Sequence, residues 1–248
     1  HELPDAVITT AQDRILDTIG VSIASSSYDG IRELVTLYGT DSSDRHARVF
    51  GHQTATSVEY AALLNSAMAR WLDFNDTYSN QHTGTHPSDI IPALLSVAEV
   101  TDATGTELLE AIVLGYEIQC RGLDTGIFWN NGFDYAAWGA YATALGAGKL
   151  FGLSTDQLRD ALGIAANANN ALRVVRSGEI SMWKGLSQPY AIHNAIQAVQ
   201  MAAQGITGPR HVFEGTPGGV FETIGSGGVS LDGLGDDGRW KITETAIK

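Results

Sequence analysis

The sequence is poor in cysteine and lysine, and none of its apolar runs is long. Its single cysteine, Cys120, excludes a disulfide within the chain and a cysteine-ligated zinc site or iron–sulfur cluster. Cys120 falls in an apolar helical pattern, so we expect a packed core thiol. No apolar stretch has the length of a membrane span, and Glu2 and Asp5 stand where a secretory signal would be basic. The sequence therefore predicts a soluble, cytoplasmic protein.

Positive charge is also scarce. Fifteen basic residues against 28 acidic residues give a formal net charge of −13, which repels nucleic acid and anionic membranes. We therefore expect neither as a partner. The chain has only four lysines, and 17 aspartates outnumber 11 glutamates. Such a surface suits a salt-rich cytoplasm, where ions screen the self-repulsion, so composition predicts a halophilic source.

Strand signals are nearly absent, whereas apolar residues recur at helical spacing along most of the chain. The pattern predicts helices at 4–25, 59–72, 87–100, 106–121, 135–151, 155–170 and 188–205. Alanine and glycine are frequent in the later segments, and small side chains let helix backbones approach closely. We therefore predict an all-α architecture with a nearly apolar central helix. After Gly205 the chain is rich in glycine and turn residues, which is typical of a connecting region.

Residues 72–95 place many hydrogen-bonding groups between two apolar segments. Loops that a rigid scaffold holds in place often carry the chemistry of a protein. His82 and His86 have the four-residue spacing of helical metal ligands, but the glycine between them and the proline after His86 break the helix that this spacing needs. We therefore predict no metal here. The alternative to a functional loop is a capped helix junction with solvated carboxylates.

A second polar segment, residues 171–195, lies between two alanine-rich stretches and includes Arg176, Glu179 and Lys184. The planar fork of an arginine matches a carboxylate, and a lysine beside it adds a compact positive charge. The segment therefore predicts a binding site for a small carboxylic acid. The alternative is a structural ion pair of Glu179 with Arg176 or Lys184.

The order of these motifs resembles that of the MmgE/PrpD family over essentially the whole chain. The resemblance rests on LDFNDTY followed by HPSD, on TGTELLEAIVLGYEIQ, on GAGKLFGLSTDQLRDALGIAAN, and on RSGEISMWKG with the later GITGP and FEG. Members of this family include 2-methylcitrate dehydratase, cis-aconitate decarboxylase and iminodisuccinate epimerase. RSGEISMWKG and the final TETAIK are most similar to the 2-methylcitrate dehydratase branch.

For the fold, the resemblance implies a large helical domain, here residues 1–240, followed by a smaller α+β lid domain that closes over the active site. Residues 241–248 would begin that lid, and the remainder of the lid is absent from this sequence. Without a lid the site stays open to water, which weakens each electrostatic contact, so we expect little or no activity from these residues alone. The resemblance also implies a homodimer.

For the site, the resemblance implies catalytic roles at Asp73, Thr77, His86, Lys184 and Lys248. The residues expected to bind substrate are Arg176, Ser181, Trp183 and Tyr135. Decarboxylase-like members carry a histidine in a GFHPT motif, whereas this chain reads GFDYAAWG, with Asp134 and Tyr135 in that region. The departure favours the dehydratase branch.

The expected reaction is a carbon–oxygen lyase reaction that removes water from 2-methylcitrate or a similar tricarboxylic hydroxy acid, without cofactor or metal. His86 suits the base or the acid, because an unperturbed imidazole has a pKa near neutrality. Lys184 and Arg176 would meet the negative charge that develops on the substrate carboxylate. Decarboxylation of cis-aconitate, epimerisation of a dicarboxylate derivative and a silent dimerising scaffold are the alternatives.

Overall fold

Helices dominate the computed structural model of the chain, which describes residues 3–39, 46–224 and 238–248. The α-helices are α1 (Asp5–Ser25), α2 (Asp29–Tyr38), α3 (Val58–Trp71), α4 (Ile91–Thr101), α5 (Gly105–Asp124), α6 (Ile127–Asn130), α7 (Ala136–Leu150), α8 (Thr155–Ala168), α9 (Trp183–Ala203) and α10 (Val220–Thr223). Turns of 3₁₀ helix span Pro87–Ile90, Arg173–Arg176 and Lys241–Glu244. The predicted mainly helical architecture is confirmed.

Short strands form two small antiparallel pairs. β1 (His46–Arg48) pairs with β2 (Ala55–Ser57), and β3 (Tyr78–Ser79) pairs with β4 (Gly84–Thr85). The second pair closes the polar loop of residues 72–95, with Tyr78 opposite Thr85 in the register. The loop is therefore ordered by backbone pairing as well as by its side chains.

Local sequence signals set the starts of two helices. The Thr104 hydroxyl accepts a hydrogen bond from the Glu107 amide, and the Glu107 carboxylate accepts one from the Thr104 amide. Ser154 and Gln157 form the same reciprocal cap at the start of α8. Each cap satisfies amide groups that the first helical turn leaves without partners, so these starts need no tertiary contact.

The predicted central apolar helix is α7, and nearly all of its side chains are buried. Glycines let its neighbours approach, since a Cβ at Gly122 in α5 would collide with the ring of Trp138. On the other side, Gly139 faces the amide of Gln188 in α9. Helices α5, α7 and α9 therefore form a close-packed layer.

Some helices differ from the prediction. Helices α2, α6 and α10 were not predicted, and α9 begins at Trp183 rather than at residue 188. The prediction placed Pro189 in the first helical turn, which proline favours. In the structure Pro189 lies further inside α9. The helix starts earlier because the Lys184 amide donates to the Ser181 carbonyl and the Gly185 amide donates to the Met182 carbonyl. Lys184 consequently lies in the first turn of α9.

The last residues of the chain lie across the helices rather than extending away from them. Arg121 donates to the Arg239 carbonyl at 2.8 Å, and the Thr77 amide donates to the Ala246 carbonyl at 2.8 Å. The proposed domain boundary at residue 240 stays a prediction. Residues 225–237 of the predicted connecting region lie outside the described residues. Among the described helices, none is both long and apolar enough to cross a membrane.

We predict that Gly122→Ala destabilises the protein by ~1–3 kcal/mol, because the added methyl group displaces the packed ring of Trp138. The matched control is Gly20→Ala in α1, where an added Cβ meets nothing within 4 Å. Helix propensity alone should make that variant up to ~1 kcal/mol more stable. Urea unfolding measures both, and equal effects of the two substitutions would contradict the packing argument.

Candidate active site

The backbone at the end of α3 fixes the position of Asp73. This residue has φ 57°, a left-handed conformation that few residues other than glycine adopt and that aspartate tolerates better than most. Its amide donates to the Arg70 carbonyl at 3.2 Å, and the Asp73 carboxylate contacts the Arg70 guanidinium, with Nη1 and Oδ1 2.5 Å apart. The turn therefore folds the carboxylate back onto the helix that it ends.

Three cationic side chains surround the Asp73 carboxylate. Besides buried Arg70, Lys184 places Nζ 3.4 Å from Oδ2, and Lys248 places Nζ 3.4 Å from Oδ1 and 2.9 Å from the Asp73 carbonyl oxygen. Burial alone would raise the pKa of Asp73, but Arg70, His86 and Lys248 outweigh it and hold the pKa well below its usual range. Residues 72–95 and 171–195 thus meet in space at an ionised carboxylate.

The His86 ring is buried and held in one tautomer. Its Nδ1 lies 2.8 Å from the Asp76 carbonyl oxygen, and because a carbonyl only accepts hydrogen bonds, Nδ1 carries the hydrogen. Nε2 therefore has a free lone pair, and it lies 3.5 Å from Oδ1 of Asp73. Burial, followed by the charge of Arg70, lowers the pKa of His86 to about 3. The imidazole is neutral and can accept a proton at Nε2.

Thr77 and Tyr135 lie beside the same ring. The Thr77 hydroxyl is 3.5 Å from Nδ1 of His86, on the edge away from Asp73, so the structure gives it a contact that supports the ring. Tyr135 meets the ring edge-on, with centroids 6.3 Å apart. Its buried hydroxyl has no hydrogen-bond partner within the described part of the chain. Contacts of either residue with substrate stay predictions.

Arg176 is engaged in a buried ion pair. Its Nε and Nη2 lie 2.5 and 3.1 Å from the two carboxylate oxygens of Asp134, and its guanidinium lies over the Tyr135 ring at 4.2 Å. The expected alternative partner, Glu179, is exposed instead. Since Asp134 neutralises Arg176, Lys184 and Lys248 supply the more accessible positive charge. The predicted contact of Arg176 with substrate remains untested.

A cavity of about 200 Å³ opens beside Asp73 and Lys184. Ser181 lines it, together with Met182 and Gly185 at the start of α9. Trp183 faces an adjoining groove and packs against Tyr190, with ring centroids 5.5 Å apart. The structure therefore brings Ser181 to the carboxylate cluster and places Trp183 at its outer edge.

Two charged residues of this region were missed or undervalued by sequence reasoning. Arg70 looks like an ordinary polar residue of α3, and its spacing of three from Asp73 at a helix end was the available signal. Asp89 is fully buried, accepts a hydrogen bond from Asn75 at 2.6 Å and lies 3.7 Å from Nε of Arg70. Burial raises the pKa of Asp89 to about 7 although Arg70 opposes the shift. Arg70 thus connects the partly exposed carboxylate of Asp73 with the buried carboxylate of Asp89.

His82, the other histidine of the loop, lies next to Asn130 and contacts Gln81. Across residues 3–39, 46–224 and 238–248, no group of three or more histidine, cysteine, aspartate or glutamate side chains is arranged to hold a metal ion. His193 is buried, with Nδ1 3.0 Å from the Glu59 carbonyl oxygen, so it is a core histidine with a hydrogen-bond partner. Cys120 is buried as predicted.

Comparison with known proteins agrees with the order of the motifs. The N-terminal domain of MmgE/PrpD proteins matches residues 1–230. The chain belongs to the MmgE/PrpD family. It is 28% identical over 235 residues to 2-methylcitrate dehydratase of Cupriavidus necator, covering 88% of this chain and 47% of that protein.

Other relatives of this MmgE/PrpD chain include a different enzyme of the family. Cis-aconitate decarboxylase of Aspergillus terreus is 27% identical over 236 residues, covering 91% of this chain and 47% of the relative. The 2-methylcitrate dehydratase of Salmonella typhi is 29% identical over 213 residues, covering 80% and 43%. The chain therefore spans about half the length of the curated relatives it matches.

We predict that the His86 imidazole stays neutral down to about pH 3. An unfolded histidine titrates near pH ~6.5, so between those values the unfolded chain binds more protons and stability rises with pH. Relative to His86→Gln, the wild type should therefore lose stability as the pH falls from ~6.5 towards 3. Imidazole nitrogen spectra would show the hydrogen on Nδ1 throughout. A titration midpoint of the folded His86 imidazole between pH 6 and 7 would contradict this prediction.

Proposed function

We propose that this chain carries the site of a hydro-lyase that removes water from 2-methylcitrate or a similar tricarboxylic hydroxy acid. One observation carries the proposal: Nε2 of His86, with its lone pair free, faces the Asp73 carboxylate where Lys184 and Lys248 converge. The geometry places a proton acceptor and two partly exposed ammonium groups within a few ångströms of one carboxylate. Elimination of water from a β-hydroxy acid needs a base, a proton donor for the departing hydroxyl group and positive charge near the substrate carboxylate.

In the proposed reaction His86 is the base. Nε2 takes the proton from the carbon next to a substrate carboxylate, the released electron pair forms the double bond, and the carbon–oxygen bond of the hydroxyl group breaks. The departing hydroxyl takes a proton from a lysine ammonium group and leaves as water. A pKa of about 3 makes His86 a weak base in the open site. The negative charge of a bound substrate raises that pKa and strengthens the base.

The two lysines suit the binding of substrate carboxylates. Their side chains keep 37% and 39% of their surface exposed, whereas that of Arg70 keeps 3%. Arg70 can therefore hold Asp73 while Lys184 and Lys248 turn towards an incoming anion. Ammonium groups placed near the developing charge stabilise it in the transition state, because they need no reorganisation when the charge forms.

The region of Asp134 and Tyr135 supports dehydration over decarboxylation. Asp134 stands where the resemblance places a histidine in decarboxylase-like members, and it is paired with Arg176. Burial, against the opposing charges of Arg70 and Arg176, raises the pKa of Tyr135 to about 12, so its hydroxyl is a hydrogen-bond donor rather than a base. Where decarboxylase-like members have a histidine, this chain therefore has the Asp134–Arg176 ion pair and the neutral phenol of Tyr135.

We further propose that the functional protein is a homodimer whose contact includes residues 172–190. Six exposed large apolar side chains lie in this short stretch: Leu172, Val174, Ile180, Met182, Trp183 and Tyr190. A group of exposed apolar side chains this large usually marks a surface that binds another molecule.

We expect the chain to sediment at twice its monomer mass of 26.4 kDa at micromolar concentration. Val174→Asp should weaken the dimer, because it places a charge in the apolar contact. The control is Leu37→Asp in α2, which is similarly exposed and distant in sequence. A wild-type monomer, or equal weakening by both variants, would overturn the assignment.

The activity is tested on the 248-residue chain and on a fusion that adds the C-terminal half of the Cupriavidus necator relative. Each is incubated with 2-methylcitrate and a metal chelator, and ultraviolet absorbance follows the unsaturated product. We expect Lys184→Ala to lower kcat/KM by at least ~10²-fold, since it removes an ammonium group from the developing charge. Lys149→Ala is the matched control, because Lys149 pairs with Glu110 in a partly exposed contact.

The alternatives give different results in the same assay. Consumption of cis-aconitate with release of carbon dioxide would identify a decarboxylase, and conversion between stereoisomers of a dicarboxylate would identify an epimerase. Carboxylate binding is measured separately on the 248-residue chain from the imidazole signals of His86. Absence of both binding and turnover in a folded protein would leave a silent helical scaffold.

A further inference from the structure

Lys248 reaches Asp73 at the end of a segment that buried Lys241 and Ile242 anchor upstream. After the 3₁₀ turn Lys241–Glu244 the chain runs as an extended strand, and Ala246 pairs with Thr77 through two hydrogen bonds. The Thr77 amide donates to the Ala246 carbonyl at 2.8 Å, and the Ala246 amide donates to the Thr77 carbonyl at 2.9 Å. The position of the Lys248 ammonium group therefore depends on how firmly residues 245 and 246 are fixed.

Arg14 fixes this stretch from the other end of the sequence. Its Nε donates to the Thr245 hydroxyl at 2.8 Å, and its Nη2 donates to the Thr245 carbonyl at 2.7 Å. Arg14 is 8% exposed and belongs to the buried face of α1, where the neighbouring buried residues are small or medium-sized. The fork of its guanidinium thus holds both polar groups of one residue.

A neutral hydrogen-bond donor could hold Thr245 at a lower desolvation cost than a buried guanidinium. The positive charge of Arg14 must therefore be balanced by a nearby acidic group. Nε lies 3.6 Å from Oδ2 of Asp76, a carboxylate with no exposed surface. Asp76 also accepts hydrogen bonds from the Tyr116 hydroxyl at 2.9 Å and the Ser88 amide at 3.1 Å. Burial raises the pKa of Asp76, and Ser88, Tyr116 and Arg14 all act to lower it.

Asp76 is also the residue whose carbonyl oxygen holds Nδ1 of His86. Arg14 therefore contacts two segments that each carry a group of the site: residues 76–77, which orient His86, and residues 245–246, which precede Lys248. Thr77 and Ala246 join the two segments directly. A movement of the guanidinium would shift the ammonium group and the imidazole relative to one another.

We propose that Arg14 is a positioning residue that sets the Lys248 ammonium group against His86 and Asp73 by holding Thr245 and Asp76 together. The proposal rests on the proposed function for the roles of Lys248 and His86, but the contact itself does not. Arg14 touches neither substrate nor reacting atoms. Its effect on the reaction would pass through the two segments that it joins.

The main variant is Arg14→Lys, which keeps a positive charge near Asp76 but cannot donate from two fixed nitrogens to Thr245. We expect the amides of Ala246 and Thr77 to exchange with solvent at least ~10-fold faster, because exchange there requires only local opening of this pair. In the fusion protein kcat should fall by about tenfold. Thr245→Val provides a second, milder variant, since it removes the hydroxyl contact and leaves the carbonyl contact.

Arg121→Lys is the matched control. Arg121 is also 8% exposed and also donates to a backbone carbonyl of the final segment, that of Arg239, but it lies upstream of the Thr77 pair. We expect its exchange rates at Thr77 and Ala246 to stay within twofold of wild type, with kcat unchanged. Equal acceleration by Arg121→Lys would mean that any anchor of the segment has this effect, which overturns the assignment to Arg14.

The readouts separate this proposal from the proposed function. Unchanged exchange at Ala246 and Thr77 in folded Arg14→Lys and Thr245→Val proteins would overturn the positioning role, whatever the activity. Faster local exchange, with α5 and α7 as protected as in wild type, would support it even if no carboxylate is turned over. In that case the proposed function alone would fail. A shift of the His86 nitrogen signals in Arg14→Lys would support the link through Asp76.

Discussion

The buried carboxylate of Asp76 is the constraint around which the site is arranged. A carboxylate removed from water is tolerated only with hydrogen bonds and a nearby cation, so the fold must bring several donors to one point. Tyr116 comes from α5, Ser88 from the 3₁₀ turn before α4, and Arg14 from α1. These elements are far apart in the sequence. The carbonyl oxygen of Asp76 in turn fixes the tautomer of His86.

Around this buried centre the charges divide into fixed and movable groups. Arg70 is buried, Arg176 is mostly buried, and both are paired with acidic side chains, so their positions are set by packing. Lys184 and Lys248 are partly exposed and contact Asp73 at distances near the limit of a hydrogen bond. The two lysines are therefore the cations of this cluster that solvent and small anions can reach. The net charge of −13 makes such a cationic cluster distinctive within this chain.

Close helix packing holds the loops that carry these groups. Glycine at position 122 in α5 and at position 139 in α7 leaves out the side chains that would separate α7 from α5 and from α9. The 3₁₀ turn Pro87–Ile90 packs against these helices. A cost in helix propensity of ~1 kcal/mol per glycine is offset by the packing that the missing side chain permits. The positions of the loops that carry the site thus depend on the helices behind them.

The longer helices and most of their boundaries could be predicted from the sequence, and its resemblance to the family supplied the candidate catalytic positions. Helical periodicity and capping are local signals, because each depends on residues within about one or two turns. The motif order identified Asp73, His86 and Lys184 as candidates, and the structure gathers them with Lys248. The start of α9 escaped prediction because backbone bonds upstream of Pro189 extend that helix.

Which charged groups pair could not be predicted from the sequence and follows from the packing of the helices. Arg176 binds Asp134 instead of nearby Glu179, and Arg14 contacts Thr245 at the opposite end of the chain. Asp89 lies buried against Arg70 although its neighbours in sequence gave no sign of its burial. Periodicity shows which face of a helix is apolar, but it carries no information on what that face meets. Charge pairing is therefore fixed by the packing of distant segments, where desolvation makes each unpaired group costly.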